Sequence, residues 1–177
     1  MSRFHIIKDT REKEGHGWWF EEDQYCSGTT KAKVDIGDYT IEDMEHLLCI
    51  ERKESVSELA GNCSEKRFWT QMDRMATFPH KFLILEFSWL DIERYPDGVI
   101  FSKDPIKDNK IRSKIRIKGN YIMSLLSTLR IDKGVHVIAA GDSERAQRMA
   151  FRIMRSVWDY HNAVSYTHLT LPTTPYV

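Results

Sequence analysis

Asp38, Glu51 and Lys53 are the residues of this chain whose types and spacing could cut a phosphodiester bond. They lie in the run IGDYTIEDMEHLLCIERKESVSE, residues 36–58, where apolar segments end in charge. If LLCIERK is a strand, its side chains alternate, so Glu51 and Lys53 project from one face and Arg52 from the other. Asp38 follows the turn at Gly37 on the preceding strand, which a hairpin-like return brings alongside. Two carboxylates and an ammonium then converge at the polar end of apolar strands. Like charges repel there, and a hard divalent cation resolves the conflict, since Mg2+ takes one or two carboxylates and keeps several waters. A water made acidic by the cation could attack phosphorus in line, with Lys53 and the cation stabilising the developing negative charge. On the triplet alone, a solvated strand end with a salt bridge stays open as the other reading.

The elements that must position these residues are those of an α/β domain, with strand and helix signals alternating along the chain. RFHIIKD is a short strand ending in Asp9, and residues 11–30 form a polar loop with Trp18, Trp19 and Phe20 at its centre. KAKVDIGDYTI shows strand alternation broken by a Gly-Asp turn, and HLLCIERK is an apolar strand ending in charge. Two helices follow, 55–60 and 64–76, the second with Ser64 as its N-cap and Phe68, Met72 and Met75 at helical spacing. KFLILEFS has the uninterrupted apolar character of a central strand. A helix over 120–130, a buried strand GVHVIAAG and a long helix from about Ser143 to His161 complete the pattern.

In this order, KDTRE, GDYTI, CIERK, a helix and FLILEF, the chain resembles the XPF-type structure-specific endonuclease family, whose nuclease domain carries a GDY…ERKxxxD signature. The resemblance spans roughly Phe4 to His161. It implies a restriction-endonuclease-like fold, with a central mixed β-sheet flanked by helices. It also implies Mg2+- or Mn2+-dependent cleavage of branched or junction DNA, in repair or recombination. By the resemblance, Asp38 and Glu51 are the metal ligands and Lys53 is the water-orienting base or electrostatic stabiliser. Asp9 is an accessory acid, and Arg11 contacts phosphate. A homodimer is among the assemblies it implies. Alternatives within the class are a catalytically silent DNA-binding partner and a nuclease of the same fold without branch preference. The chain departs from the signature at its last acid: Ser57 stands four residues after Lys53, and Glu58 comes one later. Glu58 either replaces that acid or is a helix-start acid favoured by the helix dipole. Glu86, at the end of a central strand, is a secondary candidate.

Two surfaces could hold DNA. In KIRSKIRIK, strict alternation puts Arg112, Lys114, Arg116 and Lys118 on one face of a strand, as a phosphate-binding ribbon or as a charged edge strand. Arg52 joins these as a DNA-binding candidate. In the last helix Arg145, Arg148, Arg152 and Arg155 form a stripe opposite Ala146, Met149, Ala150, Ile153 and Val157, with a solvated surface as the default. Trp18, Trp19 and Phe20 could stack on unpaired bases, although a small core anchoring their own loop is favoured.

Composition sets the outer bounds. The 177 residues suffice for one domain with a real core, 41% are hydrophobic, and 26 basic residues balance 26 acidic ones. A globally basic nucleic-acid binder is excluded, while local basic faces remain. Three cysteines without CxxC spacing, no signal-peptide stretch and no bilayer-spanning segment point to a reduced cytoplasmic protein, and a single compact nuclease domain with an adapter-derived tail suits a bacterial or phage-infected cell. The nuclease domain is assigned to residues 1–163. Residues 164–177 are set apart as a disordered, non-native tail, because Val164 to Thr173 reads codon for codon as a common transposase sequencing adapter.

Overall fold

The computed structural model describes residues 3–12 and 15–169, with side chains as far as residue 163. In chain order the elements are β1 (Phe4–Asp9), β2 (Cys26–Ala32), β3 (Tyr39–Ile41), β4 (Leu48–Lys53), α1 (Val56–Cys63), α2 (Lys66–Met75), β5 (His80–Leu85), α3 (Trp89–Glu93), α4 (Pro105–Arg112), α5 (Gly119–Lys133), β6 (His136–Ala139) and α6 (Ser143–Leu169). The strands form one sheet in the order β2-β1-β3-β4-β5-β6. It is mixed: β3 runs antiparallel to both neighbours, and β4, β5 and β6 run parallel. This is the expected α/β architecture, a central mixed sheet flanked by helices.

Each face of the sheet buries its own apolar cluster. On one face Cys49, Leu83 and Leu85 pack under α1, α2 and α5, with Phe68, Met72 and Met75 filling the space from α2. On the other, Ile50, Ile84 and Tyr39 meet Ala146, Ala150, Met154 and Val157 of α6. Alternation along β4 therefore sends Cys49, Glu51 and Lys53 to the first face and Ile50 and Arg52 to the second.

Four expectations are corrected. Strand β2 begins at Cys26, inside the stretch read as a polar loop. As an edge strand paired with β1 alone, it needs no apolar alternation. Residues 111–118 form no strand. Asp104 caps α4 and Pro105 opens it, so the helix runs through Arg112, and the chain then turns into an unpaired extended stretch. Glu65, not Ser64, is the N-cap of α2, since Ser64 closes α1. Met149 is 40% exposed, and Met154 takes the core position instead. Helix α6 continues to Leu169, six residues past Ala163, and the remainder of the tail set apart from Val164 lies outside the described residues. No helix among the described residues is long and apolar enough to cross a membrane. Cys26, Cys49 and Cys63 are all buried free thiols.

Candidate active site

The acidic centre is built by the junction of β3 and β4. Gly37 turns the chain into β3 at a φ of +86°, and a Cβ there would lie 2.7 Å from Cys49 Sγ and 2.9 Å from the Ile50 carbonyl. Glycine is required at that turn both by conformation and by space. Tyr39 pairs with Ile50, so one step back along the antiparallel register Asp38 stands across from Glu51, on the same face. Asp38 is fixed there by three backbone bonds. Its N–H donates to the Ile50 carbonyl at 2.8 Å, its carbonyl accepts from Asp9 N–H at 2.8 Å, and its Oδ2 accepts from Arg52 N–H at 2.7 Å.

Glu51 is only 3% exposed and both its oxygens receive donors. Lys53 Nζ donates to Oε1 at 2.8 Å and Gln71 Nε2 donates to Oε2. Burial, then the charge of Glu51, holds the Asp38 carboxyl well above the usual carboxylate range. Burial also raises Glu51, against the pull of Lys53. For Lys53 itself burial would favour the neutral amine, but the charge and hydrogen bond of Glu51 prevail, and its pKa is raised. The raised pKa favours the ammonium form of Lys53.

Glu58 does two things at once. Its Oε2 accepts from Glu54 N–H at 2.9 Å while its own N–H donates to Ser55 Oγ at 3.1 Å, which fastens the start of α1. Its Oε1 also lies 3.6 Å from Lys53 Nζ. These groups open into a cleft of about 600 Å³ whose walls include Asp38, Glu51, Lys53 and Glu58, with Arg11, Lys66, Arg67 and Arg74 as its basic members. Asn62 Oδ1, in the same cleft, is a buried acceptor without a partner.

The donor set suits a hard divalent cation. Two buried carboxylates side by side resist ionisation, and a cation between them would favour their charged forms. Among the described residues no cluster of three or more His, Cys, Asp or Glu could hold a metal, so a cation here would draw its remaining ligands from water or substrate oxygen, as Mg2+ does.

The other sequence candidates separate into distinct places. Asp9 is 1% exposed and is engaged by Arg11 through its N–H and Nε, both at 2.8 Å, and through Nη2. It therefore anchors Arg11, which reaches the cleft and also donates to the Val34 carbonyl. Arg52 and Glu86 are corrected from site residues to framework. Arg52 is 8% exposed on the opposite face of β4, and its Nε donates to Glu86 Oε1 at 2.7 Å. Trp18 Nε1 and Ser143 Oγ share that same oxygen. Trp18 stacks on Tyr39 and Phe20 on Phe151, so both aromatics anchor their loop, and Trp19 is left half-exposed. Arg112 is consumed by Asp108 and by the carbonyls of Pro96 and Val99. Lys114, Arg116 and Lys118 remain exposed. The α6 stripe is solvated, with Arg145, Arg148 and Arg155 paired to Asp142, Glu144 and Asp159. Gln71, Lys66, Arg67 and Arg74 had no sequence signal beyond their place on an amphipathic helix. What singles them out is that α2 lies across the mouth of the sheet.

A family model described as the ERCC4 domain matches residues 8–153. Among solved structures, XPF from Aeropyrum pernix is similar at a TM-score of 0.59 and 16% identity, over 97% of this chain and 75% of that one. XPF from Aeropyrum pernix in a complex with DNA is similar at the same score and identity, over 89% of this chain and 66% of its own. At that identity the likeness is one of fold. No curated protein matches the chain.

Proposed function

The chain belongs to the ERCC4 domain family of DNA endonucleases, and from that membership we propose that it is a divalent-metal-dependent endonuclease acting on branched DNA. The observation that carries the reading is Asp38 set across from Glu51, with Lys53 bonded to Glu51, on a buried face that opens into a cleft lined by both acids and bases.

In this reading Asp38 and Glu51 hold Mg2+ or Mn2+. When bound, the cation polarises a phosphoryl oxygen and acidifies a water. Gln71 and Lys53 fix the orientation of Glu51 from two sides. Lys53 keeps its proton and sets an ammonium beside the phosphoryl oxygens as their negative charge grows. Lys66 and Arg67 offer contacts along the phosphate backbone, with Arg11 and Arg74 beside them already paired to Asp9 and Asp35, which makes affinity sensitive to salt but not to sequence. The similar XPF from Aeropyrum pernix has been solved in complex with DNA, which supports DNA as the ligand class.

The test is cleavage of labelled flap, fork, four-way and linear DNA with Mg2+ or Mn2+. We expect wild type to cut branched substrates faster, and Asp38→Asn and Lys53→Ala each to lose activity by about 100-fold or more. Equal activity in the three proteins removes the proposed centre. Equal cutting of linear and branched DNA removes the branch preference.

A further inference from the structure

Beside α1 from the acidic cleft lies a second groove, of about 320 Å³, between that helix and residues 114–117. The two concavities share α1 as a wall. Glu58, Asn62 and Glu65 line the cleft, whereas Ser57, Gly61 and Ser64, each one residue earlier, line the groove. Successive helical residues point about 100° apart, which is what lets one helix serve both sides.

The groove is lined by Ser57, Gly61 and Ser64 on one side and by Ile115 with Lys114 and Arg116 on the other. Ion pairs in this stretch belong to Arg112, with Asp97 and Asp108, and among the described residues Lys114 and Arg116 make none. The arginines of α6 at 145, 148 and 155, by contrast, are matched by acids within four residues along the chain. The rim is also held in place. Upstream, the Arg112 guanidinium grips the Pro96 carbonyl at 2.8 Å and that of Val99 at 3.0 Å. Downstream, Gly119 N–H donates to the Tyr95 carbonyl at 3.0 Å, and a Cβ on Gly119 would lie 2.0 Å from the Ile92 carbonyl. Ile115 and Ile117 pack against the core cluster, and this turns Lys114 and Arg116 outward.

We propose that this groove binds an unpaired nucleic-acid strand as it leaves the acidic cleft. Lys114 and Arg116 take its phosphates, and its bases lie over Ile115 and Gly61. A positively charged groove that tracks the backbone holds single strands without regard to sequence. The groove's volume is that of a small-ligand site rather than of a duplex. Helix α1 is about 10 Å across, so a strand passes from cleft to groove within a few nucleotides. The proposal rests on the nuclease reading and supplies its preference for branched over linear DNA.

Binding can be measured apart from cleavage, by fluorescence anisotropy without divalent cations, on an Asp38→Asn background. The ligands are a duplex carrying a single-stranded flap and the same duplex without it. Adding Lys114→Glu and Arg116→Glu should weaken flap binding at least about tenfold and leave the plain duplex unchanged. It should also lower the slope of log affinity against log salt by about 1.4, the value for two single-strand phosphate contacts. The pair Lys114→Gln and Arg116→Gln, with a wild-type melting temperature, should show the same trend if charge reversal impairs folding. Equal losses on both ligands, no loss on either, or competition by polyglutamate as effective as that by oligo-dT would overturn the proposal. A groove-dependent flap preference in a protein that never cuts would instead sink the nuclease reading and leave the groove standing.

Discussion

Asp38 and Glu51 face each other on a buried surface, where burial raises the pKa of both and the charge of Glu51 raises that of Asp38 further. A carboxylate whose pKa is raised on folding stabilises the fold while protonated. That stabilisation is complete below the unfolded-state pKa and is lost as pH rises through the folded one. Without a divalent cation the protein should therefore become less stable as pH climbs from the ordinary carboxylate range through the raised values. Lys53, also raised, loses its contribution only above the ordinary lysine range. Asp38→Asn keeps an acceptor for Arg52 N–H and removes the charge. In EDTA at neutral pH it should melt higher than wild type, by about 2–4 °C for each kcal/mol relieved in a chain of this size. Millimolar Mg2+ should raise the melting temperature of wild type and leave that of the variant unchanged. A variant that melts at or below wild type in EDTA would contradict this account. The convergence of Asp38, Glu51 and Lys53 was legible in the sequence because strand alternation and a turn glycine are local facts. The contact of Gln71 with Glu51 was not, since 20 residues and the whole of α1 separate them.

At the scale of elements, the tight turn into β3 is what sets Asp38 in register. Gly37→Ala brings a Cβ against Cys49 and the Ile50 carbonyl at a positive φ, and should cost about 2 kcal/mol or more in chemical denaturation. Activity should fall further than that lost stability explains, because Asp38 moves with the turn. A variant with wild-type stability and activity would show that the turn is not a constraint. Helix α1 answers the question raised by the displaced acid. Ser55 caps it, so Glu58 falls in its first turn, where it braces the helix start and still approaches Lys53. Other element signals were present but outweighed. Asp104-Pro105 is a helix start and Ser88 to Asp91 a capping box, yet the alternation in KIRSKIRIK matched a strand template better. Alternation survives there as exposure, with Lys114, Arg116 and Lys118 outward, but among the described residues no strand pairs with it.

For the molecule as a whole, Arg52 and Glu86 tie β4, the Trp18 loop and the start of α6 together on the face away from the cleft. Arg52→Ala leaves Glu86 buried without its partner, and should cost about 3–5 kcal/mol by chemical denaturation. Replacing both, as Arg52→Met with Glu86→Leu, should recover most of that loss. If Arg52→Ala instead weakened DNA binding at unchanged stability, Arg52 would return to the DNA contacts.

By itself the sequence determined the α/β class, five of the six strands in outline, the long final helix and the trio of Asp38, Glu51 and Lys53. All of these follow from periodicity and from turn chemistry over short spans. Only the tertiary structure decided what surrounds that trio. It assigned Arg52 and Glu86 to the framework, brought Gln71 onto Glu51, and laid two concavities along α1. Those outcomes depend on which face of the sheet each side chain meets and which distant helix covers it. Local spacing carries no information about either.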